Sequence, residues 1–343
     1  MTGLHHDGPL LARYAESLFW MARYIERVEN LARLVDVTQT FESPGREAES
    51  WSSLIQINAD EGEFSRRMQP ANAASVKHFY LLDRTNPTGV PVSVELARTN
   101  ARTLRPIIST EMWLQLNVFH RDVLAMTPEM LEGDRLAPLC RRLREGVQAL
   151  TGITEGTFFR DQGWHVLELG RLLERADQTT RLLDIKYHHL LPHGAEERRA
   201  VEVTRWNAVL RAAAGYHAFR RVAGAGFEPA DVVAFLLGDT AFPRSVALCV
   251  SQAEWHLTQL RTRYGLRGTA PLLEQVEQVR AAVQEPVGRL MPHGLHGFLD
   301  RVQVDLGHLA AGIGTAFFRD WRPLAQEQAQ AGPSQSQSQG PPR

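Results

Sequence analysis

Apolar residues between Tyr24 and Val35 recur at helical spacing. Tyr24, Val28, Leu31 and Val35 fall at i, i+4, i+7 and i+11 and form one stripe. Glu26, Glu29, Arg33 and Asp36 form a second stripe on the opposite face. The pattern returns 148 positions later, where Leu172, Ala176, Thr179 and Leu183 oppose Glu174, Asp177, Arg181 and Asp184. Arg23 and Arg27 recur as Arg171 and Arg175, and Glu29 returns as the shorter acid Asp177. Both stretches are rich in Leu, Ala, Arg and Glu, which favour helix, and Gly170 is the single Gly or Pro in either. A solvated face needs charge but not the same charge at the same place twice. The repetition therefore suggests two helices that face each other across a shared polar cleft.

The rest of the chain reads as helices separated by turn clusters. The first long helix covers Leu10 to Phe41 and stops near Ser43-Pro44-Gly45. Others begin at Trp51, run from Ala71 to Leu82, and open at Pro91-Val92-Ser93 with Ser93 as N-cap. That last helix carries Glu95, Arg98, Arg102 and Arg105 along one side, with Pro106 as a candidate kink. Further helices span Ser109 to about Met126 and Pro138 to about Phe159. No strand alternation stands out, so the expected fold is all-α, an irregular bundle of about a dozen helices. Residues 1–9 read as a loose end, and the low-complexity stretch 326–343 as disordered.

Weaker echoes follow in the same order. Trp51-x-x-Leu54-Ile55 resembles Trp206-x-x-Val209-Leu210, and Phe79 to Asp83 resembles Phe235 to Asp239. Pro91-Val92-Ser93-Val94 resembles Pro243-Arg244-Ser245-Val246, and Phe158-Phe159-Arg160-Asp161 returns at 317–320. The expectation is a tandem duplication with halves 10–161 and 162–321, packed about a pseudo-two-fold axis as one integrated domain.

Composition narrows the function classes. With 43% hydrophobic and 22% charged residues in 343, the chain can bury a large core. A net charge of −1 provides no global field for nucleic acid or an anionic membrane. No apolar run approaches a bilayer span, and the first residues lack the form of a secretory signal. Cys140 and Cys249 read as buried thiols of a reducing, cytoplasmic compartment, with a disulfide between them left open. Lys77 and Lys186 are the only lysines, and arginine suits bidentate binding of carboxylate or phosphate.

The usual reactive motifs are missing. No Glu-x-x-His occurs to build a di-iron bundle, and arginines flank the carboxylates. His293-x-x-His296 and His188-His189 read as surface or loop histidines, so no metal is expected. Phosphate loops and a nucleophile elbow are absent, and no cofactor is expected. The Arg/Glu/Asp constellation remains, with three readings open. Glu26 and Glu174, if buried and only partly paired, could hold raised pKa values and act as general acid or base. The arginines could hold a carboxylate, phosphate or acyl-phosphate. Alternatively the charges form an ion-pair network that fixes helix register.

The stretch Ala15 to Asn30, then Asn100-Ala101-Arg102, Ser109-Thr110-Glu111-Met112-Trp113, Gly163-Trp164, Leu172 to Gln178 and Phe242-Pro243-Arg244-Ser245, together resemble the bacterial alpha-E family. The resemblance covers roughly 10–321. Thr99 departs from it, standing before Asn100 where the family pattern has Glu. The resemblance implies an all-helical protein of unknown function, encoded beside or fused to a circularly permuted ATP-grasp protein, often with a transglutaminase-like protein. Such a ligase activates a carboxylate as an acyl-phosphate, which an Arg-rich cleft in a helical partner would suit. With the motifs, Arg98, Asn100, Arg102, Glu111 and Arg244 join the duplicated residues as candidate ligand contacts.

Overall fold

Two long helices form the centre of the molecule. Good helix formers without an interior proline sustain α1 (Ala12–Thr40) and α8 (Gln162–His188). A computed structural model describes residues 10–42, 47–188, 197–224, 228–287 and 294–318 of this chain. The expected loose end, the low-complexity tail, His189, His293 and the second Arg-Asp of the Phe-Phe-Arg-Asp echo lie outside the described residues.

Among the described residues there are fourteen α-helices and no strand. Between the central pair run α2 (Glu47–Ile57), α3 (Glu61–Arg67), α4 (Ala73–Leu81), α5 (Val90–Thr103), α6 (Thr110–Leu124) and α7 (Leu136–Thr157). After α8 come α9 (Glu197–Ala212), α10 (Tyr216–Ala223), α11 (Pro229–Gly238), α12 (Val246–Thr262), α13 (Ala270–Val283) and α14 (Leu295–Phe317).

Helices α1 and α8 lie side by side and run parallel. The Leu10 amide meets Gln162 at one end, Gly170 abuts Phe19, and Leu34 and Leu182 share a pocket at the other end. A Cβ on Gly170 would stand 2.3 Å from the Phe19 carbonyl oxygen, so only glycine allows the backbones this close. Every residue of α1 from Ala15 to Ala32 except Trp20 is buried. The apolar stripe and Glu26 and Glu29 of the charged stripe are thus interior, with Arg33 and Asp36 half-buried. Glu26 of the charged stripe meets α8 and Asp36 meets α7, while α5 and α7 cover other sides of α1.

The packing around α8 follows the same plan. Helices α5 and α7 pack on α1, as α12 and α14 pack on α8. Helix α6 joins α5 to α7, and α13 joins α12 to α14. Helix α2 crosses to α8, and α9 crosses to α1.

Local detail aligns the helices more closely and moves one sequence match. Ala59 and Ala214 both adopt left-handed backbone, φ 56° and 57°. Asp60 and Gly215 follow them, their amides returning to Ile55 and Leu210. The residues that align with Pro243-Arg244-Ser245-Val246 are Pro87-Thr88-Gly89-Val90, not Pro91 to Val94, because Gly89 and Ser245 are the N-caps that open α5 and α12. Ser93 is therefore not a cap but a buried residue one turn inside α5. Pro106 lies beyond the end of α5 and kinks nothing. Helix α3 was not expected, and α2 starts four residues before Trp51. Ser109, where the helix to about Met126 was expected to begin, caps α6 and accepts from the Met112 amide.

Candidate functional site

The register of the parallel pair sets Glu-Arg of α1 beside Glu-Arg of α8, and each glutamate takes the arginine of the other helix. Arg27 donates from Nε to Glu174 Oε1 at 2.8 Å, and Arg175 donates from Nε to Glu26 Oε1 at 3.0 Å. Glu174 also accepts from Arg23 Nε at 2.7 Å. Glu26 also accepts from Arg244 Nη1 at 2.8 Å, on the turn before α12. The network continues through Arg244 Nη2 to Glu29 at 3.0 Å, and through the i,i+4 pairs Arg33–Glu29 and Arg181–Asp177.

The electrostatics correct the acid–base expectation. Burial alone would raise both carboxyls, but the facing guanidiniums outweigh it. Arg175 and Arg244 hold Glu26 at about 2, and Arg27 and Arg23 hold Glu174 at about 2. The condition of partial pairing and raised pKa is not met, and a carboxylate with a pKa near 2 is a poor general base at neutral pH. Their partners respond in step: against burial, Glu174 raises Arg27 and Glu26 raises Arg175.

Other candidate residues separate. Asp36 reaches Arg144 of α7 at 2.6 Å, and Asp184 reaches His296 of α14 at 2.6 Å, so each ties its central helix to the last helix around it. Arg171 turns to Glu168 and Glu155. Arg98 donates to Asn117 at 2.8 Å, over the Trp113 ring. Asn100 is fully buried in α5, while Arg102 and Glu111 are exposed on α5 and α6. Arg98, Arg102 and Glu111 thus stand outside the network.

His296 is exposed at the surface, as the sequence suggests, and lies on α14 beside two acids. Asp184, His296 and Asp300 each bring a ligand atom within 4.8 Å of one another. The imidazole faces a carboxylate through each nitrogen, Asp184 at Nδ1 and Asp300 at Nε2 (3.4 Å). Cys140 and Cys249 are both free and buried, and burial pushes their thiols to about 12 and about 11. They are core residues with inert sulfurs.

Sequence reasoning missed two features. His165 of α8 and His256 of α12 meet through Nδ1 atoms 2.9 Å apart in the interior, and burial lowers them to about 4 and about 3. Nothing in the local sequence pairs residues so far apart. The second is a pocket at the lower end of the central pair, lined by Asn30, Leu34, Gln178, Thr179, Leu182, Ala212, Ala213 and Arg244. Its interior volume is about 20 Å³, room for about one water molecule. Asn30 and Gln178 occupy equivalent places in the two charged stretches, so the repeat itself carried a signal.

Comparison with known proteins places this geometry. The chain matches uncharacterized proteins of Mycobacterium bovis and Mycobacterium tuberculosis at 28% identity over 322 residues. The match covers 88% of this chain but 35% of each relative, so the chain spans about a third of the length of the curated relatives it matches. No solved structure matches. A family model described as Alpha-E, a predicted alpha-helical domain with a conserved ER motif, matches residues 10–318. The matched span contains Glu26-Arg27 and Glu174-Arg175, which cross-pair α1 and α8, and the chain belongs to the Alpha-E family.

Proposed function

We propose that this chain is a helical accessory module acting with an ATP-grasp amidoligase in amide-bond synthesis or modification. It supplies a rigid binding surface and not the reacting groups. The observation that carries this reading is the closed pairing of Glu26 and Glu174: each is buried, faces two arginines and is held near pKa 2. Residues so neutralised fix register and are poorly suited to proton transfer at neutral pH. The relatives' lengths support an accessory role, since the matched region is 35% of each and further chain accompanies it there. A circularly permuted ATP-grasp protein, with a transglutaminase-like protein as a possible third member, is the partner that the family resemblance supplies. The helix-for-helix correspondence of the two packing sets supports an origin by duplication, with halves 10–161 and 162–321 in one integrated domain.

The test is co-expression of the full chain with the ATP-grasp protein and measurement of their association. A complex at micromolar concentration is expected. Its absence refutes the accessory reading. Retained system activity after Glu26→Gln and Glu174→Gln, in variants shown to be folded, is the expected sign that neither acts as an acid or base. Loss of turnover with the complex intact favours the enzyme alternative.

A further inference from the structure

The two packing sets differ in what meets the acid near the end of each central helix. Leu139, Leu143 and Val147 of α7 and Phe298, Val302 and Leu306 of α14 are buried at one constant interval, which aligns the two helices residue by residue. On that alignment Ala137, Arg141 and Arg144 of α7 stand where α14 has His296, Asp300 and Gln303. In the first set Arg144 reaches Asp36 at 2.6 Å. In the second set a neutral amide holds the position of that arginine, and His296 reaches Asp184 at 2.6 Å. One carboxylate and two guanidiniums are thus exchanged for two carboxylates and an imidazole.

The exchange turns a salt bridge into a set of metal donors. Asp184 is buried on α8, while the side chains of His296 and Asp300 are half-exposed, 48% and 55%, one turn apart on α14. One ligand atom from each of the three lies within 4.8 Å of the others. A neutral imidazole donates through one nitrogen only. Asp184 fixes that donor as Nδ1, so Nε2 keeps its lone pair on the side of Asp300. Nε2 and the Asp300 oxygen are 3.4 Å apart, longer than a good N–H···O hydrogen bond. Two ligands held at about 2.0–2.2 Å and a near-tetrahedral angle on one zinc ion stand about 3.4 Å from each other. The gap between Nε2 and Asp300 therefore has the span of a shared ion.

We infer, against the sequence expectation of no metal, that His296 Nε2 and the Asp300 carboxylate bind a divalent transition-metal ion of the zinc class, with Asp184 as the positioning residue behind the imidazole. Asp184 holds the ring through Nδ1 and raises its basicity, as carboxylates behind metal-bound histidines do. An imidazole beside a carboxylate suits zinc, whereas calcium and magnesium call for oxygen ligands. Both ligands are half-exposed, so the remaining coordination positions face solvent and take water. Asp184 lies about 15 Å along α8 from Glu174, so this site is separate from the crossed glutamates. Metal binding is measured on the chain alone, and it can fail while a complex with a partner still forms, and the reverse.

The test is calorimetric titration of the full chain, first stripped with chelator, with zinc chloride and, for comparison, calcium and magnesium chloride. His296→Ala is expected to remove one equivalent of zinc from the isotherm, whatever other histidines of the chain take up. Asp300→Asn and Asp184→Asn are each expected to weaken that equivalent at least about tenfold. Zinc should also raise the melting temperature of the parent more than that of His296→Ala. Asp300 is exposed, so if His296→Ala or Asp184→Asn fails to fold, Asp300→Asn decides. No equivalent lost in folded His296→Ala, zinc affinity unchanged in Asp300→Asn, or calcium or magnesium bound as tightly as zinc overturns the inference.

Discussion

Glu174→Gln keeps the shape of the side chain and removes the charge that Arg23 and Arg27 face. Glu174 is fully buried, with donors at 2.7 and 2.8 Å. Against burial, these guanidiniums lower its carboxyl from 4.5 to about 2, which at about 1.4 kcal/mol per unit is about 3 kcal/mol of stability. Removing one side of a buried pair costs about 3–5 kcal/mol by another route, so the two figures agree. The sign is fixed by linkage: the folded pKa is depressed, so the stabilisation is present above about 4.5 and is lost as pH falls toward 2. Denaturant unfolding at neutral pH should therefore show the variant about 3 kcal/mol less stable, with the melting temperature about 5–10 °C lower. The gap between variant and parent should narrow as the pH is brought below 4. A neutral-pH difference under about 1 kcal/mol, or one that does not change with pH, would refute the reasoning.

Further outcomes follow from packing, backbone and titration. Gly170→Ala pushes a methyl group onto the Phe19 carbonyl and should cost at least about 1–3 kcal/mol, read by thermal melting. Gly152→Ala, where no atom lies within 4 Å of the added carbon, should be neutral or stabilising by up to about 1 kcal/mol. Ala59→Gly and Ala214→Gly relieve left-handed backbone and should each raise stability by about 0.5–1 kcal/mol, net of unfolded-chain entropy. Burial lowers His165 to about 4 and His256 to about 3, so their contribution is present above 6.5 and is lost as pH falls through that window. A His256→Leu variant should show a flatter loss of stability between pH 6.5 and 4, measured by urea titration.

The central pair was legible because its charges repeat. Arg27 and Arg175 each had one glutamate of the right spacing to meet, and the sequence brought Glu26 and Glu174 to one interface. The state of those glutamates was not legible. A pKa depends on how many cations converge on the carboxyl in space, and Arg244, 218 positions from Glu26, supplies the decisive second one. Arg102 and Glu111 entered as motif residues and stand exposed away from the network, because a shared motif does not determine where a side chain lies. The pocket was hidden for a different reason. Ala212-Ala213 reads as ordinary helix end, and only the fold sets it beside Asn30 and Arg244.

The crossed pairing of α1 and α8 also sets an order of events during synthesis. Glu174 lies 147 positions after Arg27, so the ribosome releases seven helices before the acid that neutralises the first of them. Until then Arg23 and Arg27 lack their acid, although Arg33 and Asp36 on the same helix already have Glu29 and Arg144. Contacts of such long sequence separation form late and slowly. The first half thus lacks the acceptor for Arg23 and Arg27 until α8 has been made.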